Sequence, residues 1–172
     1  MPKPDTPGAG NNNWAPSRQS KASIGANVFL ATNGVGFGVR FYYGKHPPHV
    51  LKKTYLRGAM EVNYTTMIIF NCWDLDIYGH WIIPIGEGAA LYPLAGVGIL
   101  TDNGTWHLTY DTGWEMEPIW KTRVVFSYGA GIEIALGSKL MLNGEFKQKR
   151  FKHEYILNNY FNNFVVGLAY KF

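Results

Sequence analysis

Residues 162–172 read "NNFVVGLAYKF", and this stretch decides the fold. Phe164, Val166, Leu168, Tyr170 and Phe172 occupy every second position, with Asn163, Val165, Gly167, Ala169 and Lys171 between them. A period of two is the signature of a strand, because successive side chains point to opposite faces. Chain ends are usually polar and frayed. This one keeps an aromatic-rich face to its last residue, so something has to cover that face.

The same alternation recurs upstream in units of similar length. A first strand over about 20–31 sets Ile24, Ala26, Val28 and Leu30 against Ser23, Gly25 and Asn27. After the turn residues "TNG", a second over about 34–43 sets Val35, Phe37, Val39, Phe41 and Tyr43 against Gly36, Gly38, Arg40 and Tyr42. A third (55–65) opposes Leu56, Met60, Val62 and Tyr64 to Arg57, Ala59, Glu61 and Asn63. A fourth (72–84) opposes Trp73, Leu75, Ile77, Trp81 and Ile83 to Asp74, Asp76, Tyr78 and His80. A fifth (89–100) alternates less cleanly, with Leu91, Ala95, Val97 and Ile99 against Tyr92, Gly96 and Gly98. A polar loop is expected over 101–121, carrying Trp106, Trp114 and Trp120. A sixth strand follows (122–135) with Val124, Phe126, Tyr128, Ile132 and Ile134 opposite Arg123, Ser127, Gly129, Gly131 and Glu133. A seventh (139–151) sets Leu140, Leu142 and Phe146 against Asn143, Glu145, Lys147 and Lys149, and the quoted stretch is the eighth. Residues 1–19, rich in Pro, Asn, Gly and Ser, read as a flexible lead-in to a single domain over 20–172.

Composition supports β structure. Of 172 residues 16% are aromatic, 20 are glycine and 16% are charged, with a mean hydropathy of −0.13. That profile is too apolar and aromatic for a disordered chain. The net charge of +4 is mild, and the one dense basic run (Lys147, Lys149, Arg150, Lys152) reads as a strand end rather than a nucleic-acid surface. A single cysteine, Cys72, excludes an internal disulfide and a cysteine-based zinc cage. No segment is apolar enough for a spanning helix. The opening "MPKPDTPGAGNNNW" lacks the basic and apolar regions of a signal peptide, which leaves a cytosolic protein or a mature chain.

Eight alternating strands suit two opposite solvents. A soluble barrel turns its apolar face inward, whereas a transmembrane barrel turns it outward to lipid and fills its interior with mixed polar residues. Three features select the second. The strands run about 10–14 residues, near the span of a tilted membrane strand and about twice the soluble average. The polar face mixes glycines with nearly balanced charges: Arg40, Arg57, Arg123, Lys147, Lys149 and Lys171 against Glu61, Asp74, Asp76, Glu133 and Glu145. An enclosed lumen demands such pairing. Counted back from the C-terminus, connectors alternate long and short, as transmembrane barrels require. The front third departs, with a short "TNG" and a long 44–54 segment in the opposite places. Tyr43, Tyr64, Trp73, Trp81, Tyr170 and Phe172 lie near strand ends on the lipid-facing parity, where aromatic girdles sit.

The terminal pattern Phe164-x-Val166-x-Leu168-x-Tyr170-x-Phe172 closely resembles the C-terminal β-signal of bacterial outer-membrane proteins. Residues 75–100 and 128–147 resemble the small OmpA/OmpX-like barrels of Bacteroidota-type bacteria. The resemblance implies an all-β, eight-stranded, antiparallel up-and-down barrel in the bacterial outer membrane. It also implies partners: membrane lipid and lipopolysaccharide around the barrel, and an assembly machinery that reads the terminal aromatic residue. No nucleic-acid partner is expected, and the barrel is expected to be a monomer.

The remaining candidates are read conservatively. Arg40, Arg57, Glu61, Asp74, Asp76, His80, Arg123, Glu133, Glu145, Lys147 and Lys149 are expected to form a polar network in the lumen. The two carboxylates of "DLD" (74–76) share one face about 7 Å apart, inviting an arginine or lysine from a neighbouring strand. "HPPH" (46–49) lacks a third ligand and reads as a turn, and "TDNGTW" (101–106) as an acidic turn without calcium-loop spacing. No catalytic residue, metal or cofactor is expected. Trp106, Trp114 and Trp120 are the candidate surface contact. The expected role is membrane integrity or surface adhesion through residues 101–121 and 152–160. A narrow channel through a glycine-rich lumen and a lipid-modifying enzyme are the alternatives.

Overall fold

A computed structural model describes residues 22–32, 34–44, 54–67, 71–86, 88–109, 113–137, 139–151 and 160–172; at 86, 103–109 and 113–119 it describes the backbone alone. The lead-in, "HPPH", His153 and residues 152–159 lie outside the described residues. Eight strands follow in order: β1 (Ala22–Ala31), β2 (Gly34–Gly44), β3 (Tyr55–Met67), β4 (Asn71–Gly86), β5 (Ala89–Thr109), β6 (Gly113–Ala135), β7 (Leu140–Phe151) and β8 (Tyr160–Lys171). Each pairs antiparallel with the next, and β1 pairs with β8 to close the barrel. Closure leaves the barrel wall no open edge, which a β structure in hydrocarbon cannot tolerate.

The barrel is inside-out relative to a soluble protein. Phe37, Val28, Leu30, Phe126 and Phe164 are about as exposed as Trp120, while Arg40, Glu61, Asp76, Lys147 and Lys149 are fully buried. Each strand alternates these classes along its length, as in β3, where every second residue from Tyr55 to Met67 is buried. The parity assigned from sequence matches the faces of the described side chains in all eight strands.

Two tight turns close hairpins at the end of the barrel where the chain terminates. Gly88, between β4 and β5, and Gly137, between β6 and β7, have φ of +88° and +112°. These are left-handed conformations open to glycine and costly for residues with a Cβ. At the opposite end β5 and β6 run on together far beyond their neighbours. β4 last pairs with β5 at Asn103 and β7 first pairs with β6 at Val125, yet β5 and β6 stay paired to Thr109 and Gly113.

This two-stranded ribbon corrects the expected loop over 101–121. "TDNG" looks like a turn, but it lies within β5. The register shifts between Asn103 and Thr105, so that Gly104 faces both Pro118 and Ile119. This is a β-bulge, and a bulge is where a strand accommodates proline, which cannot donate to the ladder. The bulge breaks the period of two, which hid the strand from pattern reading.

The lumen and the ribbon end as candidate functional sites

Inward parity alone brings the charges of the polar face into reach of one another, because an eight-stranded barrel is narrow enough for side chains to meet across it. At mid-lumen, Arg40 on β2 reaches Glu145 on β7, a strand that is not its neighbour. Its Nη2 donates to Glu145 Oε2 at 2.7 Å, and its Nη1 donates to Oε1, making a bidentate pair. The same Nη2 donates to Glu61 Oε1 at 2.8 Å. Lys147 completes the square, 2.7 Å from Glu61 and 3.5 Å from Glu145. Asn27 donates to Glu61, and the Tyr92 hydroxyl donates to Glu145 at 2.6 Å.

A second cluster sits beside it. Lys149 donates to Asp74 at 2.8 Å and to Asp76 at 2.6 Å. The "DLD" carboxylates thus share one lysine from the far wall. Asn63 and Tyr78 donate to Asp74 and Asp76 respectively. Toward the chain termini, Arg57 is 2.7 Å from Glu133 and 3.1 Å from His80 Nδ1. Its guanidinium lies over the Tyr42 ring at 4.4 Å, and His80 stacks on Tyr92 with centroids 4.9 Å apart. Toward the ribbon, Arg123 pairs with Asp102.

Apolar clusters bound this polar column. Near the termini Tyr55, Ile82, Ala90, Leu94 and Met141 are buried together with Tyr42, Tyr78 and Tyr92. Near the ribbon Met67, Cys72, Leu100, Val125, Phe151 and Phe161 form the other. Three of the lumen glycines are filled by their neighbours. A Cβ at Gly38 would lie 2.0 Å from Asn63 Oδ1, one at Gly98 2.0 Å from Asp76 Oδ1, and one at Gly131 2.5 Å from the Tyr92 ring. Each missing side chain is room that a neighbour occupies.

The structure brings all eleven lumen residues named from sequence onto the inner face and joins them in these clusters. Sequence reasoning missed Asp102, assigned to a loop, and the tyrosines and asparagines that complete the hydrogen bonding. The signal for the second group was present: Tyr42, Tyr78, Tyr92, Asn27 and Asn63 share the parity of the charges. On the outer face, Phe164, Val166, Leu168, Tyr170 and Phe172 all point away from the lumen, and Phe172 is among the most exposed residues at 75%. Tyr170 and Phe172 meet edge to face at 5.9 Å. In the ribbon, Trp106 pairs with Met116 and Leu108 with Trp114 along the backbone, and the Trp120 side chain is exposed.

The description of the outer membrane protein beta-barrel domain matches residues 6–172 of this chain. The chain belongs to that family. It is an integral barrel of the bacterial outer membrane, and the OmpA/OmpX-like resemblance holds, while the matches are silent on its Bacteroidota-type refinement. Among solved structures of this outer-membrane barrel's fold, a major outer membrane protein from Thermus thermophilus gives a TM-score of 0.66 at 12% identity, covering 88% of this chain and 98% of that one. Neisserial surface protein A gives 0.60 at 12% identity, covering 88% and 96%. The outer membrane enzyme PagL gives 0.55 at 12% identity, covering 86% and 97%. At these identities the likeness is one of fold. No curated protein sequence matches the chain.

Breaking the central square should be costly, because it strands a buried charge. Arg40→Met leaves Glu145 and Glu61 facing each other with Lys147 alone between them. We expect a loss of about 3–5 kcal/mol, read from urea unfolding of the barrel refolded into lipid vesicles. A loss below about 1 kcal/mol, the range of an exposed pair, would contradict the assigned network.

Proposed function

We propose that this outer-membrane barrel neither conducts nor catalyses, and that it acts by surface contact through its β5–β6 ribbon. The observation that carries this reading is the interior: cross-lumen ion pairs fill the barrel between two apolar clusters. An ion would have to displace partnered charges to pass, and each charge of the central square is held by two or more contacts. The long β5–β6 extension at one end and the tight turns at Gly88 and Gly137 at the other support placing the ribbon end outside the cell, against the length of residues 45–54. There, Trp106, Trp114 and Trp120 on the ribbon are the proposed contact residues, and residues 152–160 are proposed as a second contact segment.

The likeness to PagL makes enzymatic activity the reading to test against. Among the described residues with side chains, His80 is the one histidine and Ser127 a buried serine. Both point into the lumen, away from the lipid face where an acyl substrate would lie. His80 is already held by Arg57 and stacked on Tyr92. We further propose that the terminal strand is read by the assembly machinery before its outward face meets lipid, and that the barrel works as a monomer surrounded by membrane lipid.

In planar bilayers the refolded protein should give no stable conductance steps above background, and incubation with lipid A should produce no mass shift. Reproducible steps would replace the filled-lumen reading with a channel, and a deacylated or acylated product would make the chain an enzyme. Deleting Phe172 should impair insertion in cells far more than refolding in detergent. Equal effects would remove the sorting role.

A further inference from the structure

The lipid-facing surface is largely apolar, and its hydrogen-bonded polar side chains gather at the ribbon end, where Thr101 meets Thr122 and a larger group surrounds Arg150. Arg150, next to last in β7, points outward and is exposed. Its Nε donates to Gln148 Oε1 at 3.1 Å, and its guanidinium lies 5.7 Å from the Tyr128 ring centroid. The Tyr128 hydroxyl also donates to Gln148 Oε1, and Gln148 Nε2 donates to Asn162 Oδ1 at 3.0 Å. Asn162 in turn donates its backbone N–H to Thr32 Oγ1 at 2.9 Å. A hydrogen-bonded belt therefore crosses from β6 through β7 and β8 to the end of β1, on the outside of the barrel.

Such a belt is out of place on a surface whose only task is to dissolve in hydrocarbon. A lipid-facing arginine costs about 2–4 kcal/mol at the bilayer midplane and about 0–1 at the interface. Arg150 sits at the strand end, so its depth is the interfacial one. The belt goes further than tolerating the charge: it fixes Nε and the plane of the guanidinium. Among the described residues Nη1 and Nη2 make no hydrogen bond, which leaves two donors of an exposed side chain open to a ligand at the barrel surface. A planar pair of N–H donors matches phosphate oxygens bidentately. On the same outward face the surface turns apolar and aromatic, with Phe146 and Phe164 packed at 5.0 Å.

We propose that Arg150, oriented by Gln148, binds the phosphate of an outer-leaflet glycolipid of the lipid A type, with an acyl chain lying over Phe146 and Phe164. Charge complementarity selects a phosphorylated head, and the apolar surface beneath selects a lipid over a soluble phosphate ester. Gln148 is a positioning residue in this site, acting through Arg150. The site does not depend on what the ribbon contacts; it rests on the proposed reading only in placing the ribbon end at the outer leaflet, a placement that binding in detergent does not require.

The test is native mass spectrometry of the full chain, refolded in detergent and offered either bisphosphorylated lipid A or the same lipid with its phosphates removed. The wild type should retain the phosphorylated lipid about tenfold more tightly, the scale of one charge-assisted contact, and a large excess of inorganic phosphate should not displace it. Arg150→Gln should abolish the preference, and Gln148→Leu, which frees Nε without removing the charge, should reduce it. Lys139→Gln, at the other rim, should leave it intact. Retained heat-sensitive gel mobility confirms that each variant is folded. Equal retention of both lipids by the wild type, or an undiminished preference in Arg150→Gln, would overturn the site.

Discussion

The bidentate pair between Arg40 and Glu145 spans the barrel, and the rest of the interior is arranged around it. Neither group has water to fall back on, and an isolated charge in such a place would be expelled or neutralised. Glu61 and Lys147 therefore complete a square in which every charge meets two opposite ones. The neighbouring clusters repeat the logic with Lys149 between two aspartates and Arg57 between Glu133 and two tyrosine rings. Because the outer face supplies no inward-packing core, these contacts and the apolar clusters at either end make up the interior of the protein.

The two faces of each strand answer to different solvents, and this made much of the fold legible in the sequence. Arg40 flanked by Val39 and Phe41, or Glu61 flanked by Met60 and Val62, can satisfy both demands only as a strand with lipid outside and partners inside. Parity therefore located the lumen residues without any knowledge of pairing. It could not say which charges pair, since Arg40 and Glu145 are 105 residues apart and meet only through barrel closure. Nor did it reveal that the lumen glycines are spaces for Asn63, Asp76 and Tyr92, because a glycine in sequence looks like a void.

The ribbon shows where pattern reading fails for a physical reason. The register shift between Asn103 and Thr105 sets Gly104 against Pro118 and Ile119, and "TDNG" in this stretch carries the composition of a turn. Asp102 was lost with the strand that carries it, and so was the Arg123–Asp102 pair that ends the polar column. The outward belt around Arg150 was missed differently. Its residues alternate correctly, but polar side chains on the lipid parity read as strand-end noise until the hydrogen bonds among Tyr128, Gln148 and Asn162 are visible.

The central claim is that the lumen is filled and closed to solvent, and the chain's single cysteine tests it directly. Cys72 lies in the apolar cluster at the ribbon end and is 1% exposed. The barrel folded in lipid vesicles is exposed to a charged, membrane-impermeant thiol reagent, and modification of Cys72 is followed by mass. The folded barrel is expected to show no modification over times that label the urea-unfolded chain completely. Rapid modification of the folded protein would show water in the lumen and contradict it.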